Sequence, residues 1–564
     1  MAFIAYFLAR ADVLVYFSIF IALFIYWIKG IKKSTAKMPP GPMPLPVIGN
    51  LNLLDLERPH ESLMQLSEKY GEIFAIKFGP KKTVILAGYK IIKEALVMRA
   101  DDFGERAIDP IFKVAFNGHG VVFSNGEQWK SMRRFMLSTL RDFGMGKKSQ
   151  EARIQDELIF LIESFKSHDG KPFNAHMLIN SAVSSVICSI IFGKRFEYGD
   201  PIFQKLIKML DENAKLYGTP KVLTEVATKL SVFKRLQKRH RETGRVTEMQ
   251  KSGRPLTTSH SDDRLFVNNA FRNWMINATK LQAHFMELYN YYPFLGSLLG
   301  LHKKVEQNTQ ELRGFISQFL MNRRLELDAN DIAGYIDAYL LKQEQETTKA
   351  QTHFNEENLY SSVLDLFDAG TETSSTTIRW GILLMMKYPE IQKKVQEEIK
   401  THIKPGQLPT VEDRKKMPYT NAVIHEIQRF GNILPLNMSH STPTDVYLRG
   451  YLIPKDTEVI PLLTSVLYDK TQWKTPYDFN PNHFLDENGK FVQHDAFMPF
   501  SVGRRACAGE GLAKMELFLF FTGLLQAFTF YPPRGVSRED LNLKPGVGFT
   551  LAPTPFMTCA KPNY

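Results

Sequence analysis

Cys507 stands in the run Phe500-Ser-Val-Gly503-Arg-Arg505-Ala-Cys507-Ala-Gly509, and an apolar stretch that reads as a helix begins at Glu510. A thiol placed just before a helix lies in the field of first-turn N–H groups that lack intrahelical partners, which favours the thiolate. A thiolate is both a nucleophile and a strong metal ligand. Gly503 and Gly509 permit tight backbone around the sulfur. Arg505, two residues before the thiol, can meet an anionic group. The other two cysteines, Cys188 and Cys559, are remote and form no CxxC pair. That excludes a disulfide scaffold and a cysteine-rich zinc site, and fits a domain facing a reducing compartment. Cys188, set among Val186, Ile187, Ile190, Ile191 and Phe192, reads as a small core hydrophobe.

A second constellation is Ala369-Gly370-Thr371-Glu372-Thr373-Ser374. It falls midway along a helix predicted over 356–387, capped by Asn355 and stopped before Pro389. Such a helix is about 48 Å long and must run through the middle of a large domain. Glycine inside a helix costs about 1 kcal/mol against alanine. Here Ala369 and Gly370 are expected to make room for a ligand. Thr373 offers a hydroxyl and Glu372 an acid beside it, a pair able to pass protons to bound oxygen or water. Glu426 and Arg429 share a helix face at i,i+3 and read as structural. Trp129 and Arg133, four apart on a helix predicted over 127–140, can face one ligand edge. Lys130, Arg134, Arg141 and Lys147 form a basic face suited to an acidic protein partner. Short strands are predicted at 83–87, 446–448, 450–453 and 458–460.

The Cys507 segment resembles the haem-ligand loop of the cytochrome P-450 superfamily. Other signatures follow in order along nearly the whole chain: Pro39-Pro40-Gly41-Pro42, Phe123-Ser-Asn-Gly126 with Trp129 to Phe135, and Asp478 to Asp486. These are similar to microsomal vertebrate family 2. Leu86 to Tyr89 and Arg141 to Lys148 look most like the fish K subfamily. The resemblance implies a mainly α fold with small β-sheets and a haem b held by the Cys507 thiolate, whose electron donation promotes O–O cleavage. It carries the acid–alcohol pair onto Glu372 and Thr373, and propionate contacts onto Arg106, Trp129, Arg133, His440 and Arg505. It places His483 where an arginine commonly joins the Glu426–Arg429 pair. It implies monooxygenation of small apolar substrates (xenobiotics, fatty acids or steroids). Electrons would come from NADPH through a NADPH–haemoprotein reductase, with a b-type cytochrome as a further partner, since the chain has no pyridine-nucleotide fingerprint. Two rivals stay open: a reductase-independent haem-thiolate isomerase or dehydratase, and a haem-binding membrane protein without turnover.

Residues 13–28 carry no charge, and Lys29, Lys32, Lys33 and Lys37 follow them. The expected organisation is therefore a transmembrane anchor helix over 1–31, a Pro-rich linker over 32–50 and a catalytic domain over 51–564. Lipid is then a partner, and the domain lies on the cytosolic side of the endoplasmic reticulum. The linker is expected to decouple anchor from domain. Length alone would allow about three or four domains, a number that the resemblance overrules. The formal charge is +12, and the stretch 221–282 holds 13 basic and 5 acidic residues, so +8 is local. Nucleic acid is set aside, because no basic stripe with interleaved aromatics occurs elsewhere. That same stretch is polar, poorly periodic and foreign to the family pattern. It reads as a flexible insert, from retained intron sequence or a gene-model artefact, with a regulatory loop as the alternative. Asp456 stands where relatives often have glycine.

Overall fold

The computed structural model describes residues 37–55, 57–143, 148–217, 290–298, 300, 302–346 and 352–563. The predicted anchor, Lys147 and the stretch 221–282 lie outside the described residues. No helix among the described residues is long and apolar enough to cross a membrane. The chain divides into two compact units, each assembled from three separated stretches.

The first unit comprises 1–107, 436–469 and 501–506. Its strands are β1 (Ile73–Phe78), β2 (Lys81–Ala87), β3 (Glu105–Arg106), β4 (His440–Ser441), β5 (Val446–Leu448), β6 (Tyr451–Ile453) and β7 (Glu458–Leu462). One sheet runs β1-β2-β7-β4-β3, and β5-β6 form a separate pair. The β-branched run Thr83 to Ile85 pairs in parallel with Glu458 to Ile460, and every residue of β7 is buried. This buried centre explains why the predicted strands at 83–87 and 458–460 are nearly unbroken in apolarity. At the far edge Arg106 lies opposite His440, bringing together two residues 334 positions apart in sequence. The Pro-rich segment is not a loose strap from Lys37 onward. Pro40 accepts a hydrogen bond from the Ala75 amide at 2.8 Å, Lys37 accepts one from the Leu452 amide at 2.9 Å, and Asn50 exchanges backbone and side-chain bonds with Lys77. These bonds dock the described part of the segment on β1 and β6. Asp456 has φ 58, in the left-handed region. Glycine would adopt this conformation without the strain that a Cβ brings.

The second unit comprises 108–435, 470–500 and 507–564. Its helices include α1 (Gly126–Asp142), α2 (Lys148–Lys166), α3 (His176–Ile191), α4 (Pro201–Tyr217), α5 (Glu356–Lys387), α6 (Pro389–His402), α7 (Pro418–Gly431) and α8 (Glu510–Ala527), with a β8 (Phe528–Tyr531) and β9 (Cys559–Pro562) hairpin. The central helix α5 has the predicted bounds, and the Asn355 side chain accepts the Asn358 amide at its start. It packs against α3, α4, α6, α7 and α8. From Ser374 to Met386 every residue of α5 is buried. Helix α8 is buried on all sides from Met515 to Gln526. A helix apolar on nearly every face, as α8 is, belongs in the interior. On α7, Glu426 and Arg429 are fully buried and joined by two bonds of 2.7 Å. Arg429 also donates to the carbonyls of Pro476 and Asp478, while the Asn480 amide and the His483 ring approach Glu426. His483 thus occupies the place that the sequence reading assigned it.

Candidate active site

Cys507 precedes α8 by three residues, with Gly509 as the residue before its first turn. Its amide donates to the Phe500 carbonyl at 3.0 Å, which fixes the approach of the loop. Cys507 is exposed as a residue, yet protein crowds its thiol on most sides, so the sulfur lies in a recess instead of projecting outward. Desolvation raises the thiol above its ordinary value. The Gly509 and Glu510 amides and the Arg133 charge act in the opposite direction but do not offset that burial, to which the Glu510 carboxylate adds. The expected pull of the helix start on the thiol is real but smaller than the cost of charging sulfur in this recess. A bound cation would reverse the balance, because a coordinating thiol is deprotonated outright. Gly509 has ordinary backbone, and a Cβ there would lie 3.9 Å from the sulfur. In the first unit Gly503 has φ 80, and a Cβ would collide with the Leu96 carbonyl, so this position requires glycine.

Trp129 and Arg133 share one edge of α1. Trp129 is 8% exposed, and the Arg133 guanidinium lies 5.9 Å from the centroid of its ring. Arg133 is desolvated, which lowers its pKa, and Cys507 acts on it in the opposite sense. Lys130, Arg134 and Arg141 are exposed on the other face of the same helix, at spacings close to whole turns. Lys130 is paired with Glu127 at 2.6 Å, which lessens its share in the basic face.

In the first unit Arg106, His440 and Arg505 form a cluster. Arg106 donates to the Met438 carbonyl at 2.8 Å, and Arg505 donates to the Gly104 carbonyl at 2.8 Å. His440 Nδ1 lies 2.6 Å from the Phe103 carbonyl and therefore carries the ring proton. Its Nε2 is buried with no partner among the described residues. Burial, then the Arg106 and Arg505 charges, hold the imidazole well below its usual pKa. The two fixed guanidinia are a donor set for carboxylates, and the unsatisfied imidazole nitrogen beside them is an acceptor that a protonated carboxyl would satisfy. Cys507 with Trp129 and Arg133 suits a metal-centred planar group. Each set by itself fits part of a haem.

On α5 the turn from Asp368 to Gly370, with Glu372 and Thr373, retains accessible surface although the helix is otherwise buried through its second half; Ala369 is exposed outright. This turn faces open space. Thr373 donates to the Ala369 carbonyl at 2.7 Å. Glu372 accepts from Thr376 at 3.0 Å and from Thr550 at 2.8 Å. The acid and the alcohol are thus neighbours without a mutual hydrogen bond. Burial raises Glu372 above the usual carboxyl range. Gly370 departs from its expected role: a Cβ there would lie 2.5 Å from the Ile187 side chain. Its missing side chain brings α3 and α5 together, and only Ala369 leaves room for a ligand. Sequence reading also missed Asp365, which accepts the Val121 and Val122 amides at 2.6 and 3.0 Å and is pushed up to about 7 by burial. It missed Glu516, held by Ser374 at 2.6 Å and raised to about 8 by burial. The available signal was acids at 365, 368 and 372, recurring at helical spacing within an apolar helix.

The sequence profile of the cytochrome P450 family matches residues 39–252 and 259–560. Cytochrome P450 2K1 of Oncorhynchus mykiss is 43% identical over 530 residues, covering 94% of this chain and 92% of that protein. Cytochrome P450 2K6 of Danio rerio is 44% identical over 518 residues, with coverage of 92% and 90%. Human cytochrome P450 2J2 is 42% identical over 533 residues, with coverage of 94% and 93%. With this extent of similarity, and with a cysteine recess and carboxylate-binding cluster that fit haem, the chain belongs to the cytochrome P450 family of haem-thiolate monooxygenases.

Proposed function

We propose that Cys507 is the axial haem ligand and that the protein oxidises small apolar substrates with electrons passed from NADPH by a membrane-bound reductase. The position of Cys507, an exposed residue whose thiol is closely surrounded by protein just before the buried helix α8, carries this reading. Haem supplies the oxidising chemistry when bound, inserting one oxygen atom of dioxygen into substrate while the other leaves as water. Arg106 and Arg505 would donate to its carboxylates and His440 Nε2 would accept from a protonated one, with Trp129 and Arg133 as further propionate contacts. Thr373 would present its hydroxyl to a water or an oxygen species by exchanging its bond with the Ala369 carbonyl. Glu372, held above the usual carboxyl range by burial, can keep a proton nearer neutral pH and release it toward that turn. Arg134 and Arg141 would receive the acidic reductase, and a b-type cytochrome would dock on the same face.

The charge-free run 13–28 and the lysines after it support a single-pass anchor over 1–31 in the endoplasmic reticulum, with one catalytic domain over 51–564 in the cytosol. The composition of 221–282 supports a dispensable insert, and transcripts lacking it would bear that out. The central test is Cys507→Ser. The variant is expected to lose the strongly red-shifted carbon monoxide spectrum of a thiolate ligand. A retained thiolate-type spectrum would overturn the assignment.

A further inference from the structure

Three carboxyls recur on α5 at Asp365, Asp368 and Glu372, three and four residues apart and so on neighbouring turns. Two have clear structural employment. Asp365 is clamped by the Val121 and Val122 amides, and Glu372 by the Thr376 and Thr550 hydroxyls. Asp368 differs. Among the described residues it accepts no hydrogen bond and meets no cation, although it is half-buried in the central helix. Burial, then the Asp365 and Glu372 charges, push it up to about 8. A carboxyl without partners, next to two other acids, opposes folding, and an apolar side chain would serve the core better.

The surroundings indicate what would satisfy it. Asp368 adjoins Ala369, the exposed residue of the turn that faces open space. Its charge acts on the Tyr217 hydroxyl at the end of α4. The Tyr217 ring lies 5.0 Å from Phe112, which stacks on Phe123 at 4.3 Å and meets the edge of Phe549 at 6.0 Å. A carboxyl without a paired cation, whose charge reaches one ring of an aromatic cluster, suits the recognition of ammonium groups on apolar molecules. We infer that Asp368 is a specificity-determining residue that anchors a cationic amine carried by an otherwise apolar substrate, presenting the rest of that substrate to the Ala369–Thr373 turn. This rests on reading that turn as the reaction face. Binding involves proton transfer only: a neutral amine takes the Asp368 proton, or a preformed ammonium displaces it to water, and either route leaves an ammonium–carboxylate pair.

The test uses the full-length, haem-loaded protein and two probes of one shape: trimethyl(4-phenylbutyl)ammonium, whose nitrogen cannot ligate iron, and its neutral carbon isostere (5,5-dimethylhexyl)benzene. Affinities are read by equilibrium dialysis and by the shift of the haem absorption band. In Asp368→Asn the ammonium probe is expected to weaken at least about tenfold while the neutral probe moves less than about twofold, the signature of one lost charge pair. Asp368→Leu, which removes the buried polar group, should repeat that loss and guards against a folding defect in the first variant. Equal losses for both probes, or an unchanged ammonium affinity, would overturn the inference. So would altered coupling with neutral substrates alone, which would make Asp368 part of proton delivery instead. A carbon monoxide spectrum of the thiolate type in the same preparations shows that the haem reading stands whichever result is found; its absence would count against that reading and not against Asp368.

Discussion

Replacing Arg429 by methionine isolates the energetics of the α7 ion pair. Arg429 and Glu426 are both 0% exposed. The substitution removes two 2.7 Å bonds to the carboxylate and strands the carbonyls of Pro476 and Asp478, which arginine holds at 2.7 and 2.8 Å. Glu426 keeps only the Asn480 amide at 2.8 Å and the His483 ring at 3.2 Å among these partners. Leaving one member of a buried pair uncompensated costs about 3–5 kcal/mol. A loss of about 4 kcal/mol is a large part of the roughly 5–15 kcal/mol that holds a typical protein folded. With a urea dependence of about 3 kcal/mol per molar, the midpoint should fall by about 1.3 M. The assay follows loss of the haem absorption band through urea in parallel for wild type and variant. A Glu426→Leu/Arg429→Met double variant should be less damaged than Arg429→Met alone, because it leaves no buried charge. A shift matching less than about 1 kcal/mol, as for exposed ion pairs, would refute the reasoning.

Thr373→Ala is expected to keep NADPH consumption while product gives way to peroxide or excess water, measured as product formed per NADPH; unchanged coupling would assign this turn a structural role only. Glu516→Gln should flatten the pH dependence of stability. Glu516 is raised by burial to about 8, so the folded state holds a proton that the unfolded chain releases near its ordinary value of 4.5. Its stabilising share is therefore complete below about pH 4 and is lost as pH rises through about 8, while glutamine keeps the Ser374 hydrogen bond without ionising. Urea midpoints at acidic and alkaline pH that run parallel in the two proteins would contradict this. Asp456→Gly should stabilise the first unit by about 0.5–1 kcal/mol, since φ 58 strains an L-residue with a Cβ; a lower melting temperature would show that the aspartate makes a compensating contribution.

Much of the frame was written in local order. Asn355 and Pro389 bound α5, the apolar run after Gly509 defines α8, and the alternation of β-branched residues with turns marks β2 and β5 to β7. Caps, breakers and hydrophobic periodicity act between residues a few positions apart, so a single sequence is enough to read them. The position of Cys507 before a helix belongs to the same class of signal, as does the Glu426–Arg429 spacing. What tertiary structure alone decided is where distant segments meet. Glu372 turns to Thr550, 178 residues away, and not to adjacent Thr373. Gly370 serves the approach of Ile187, and Asp365 serves two amides near residue 121, while Asp368 has no hydrogen-bond or ionic partner among the described residues. Arg106 finds His440 only through sheet register. Desolvation, which depends on packing from all sides, outweighs the helix-start field at Cys507. Charge state and hydrogen-bond choice are properties of that packing, and they vary with neighbours that no local spacing specifies.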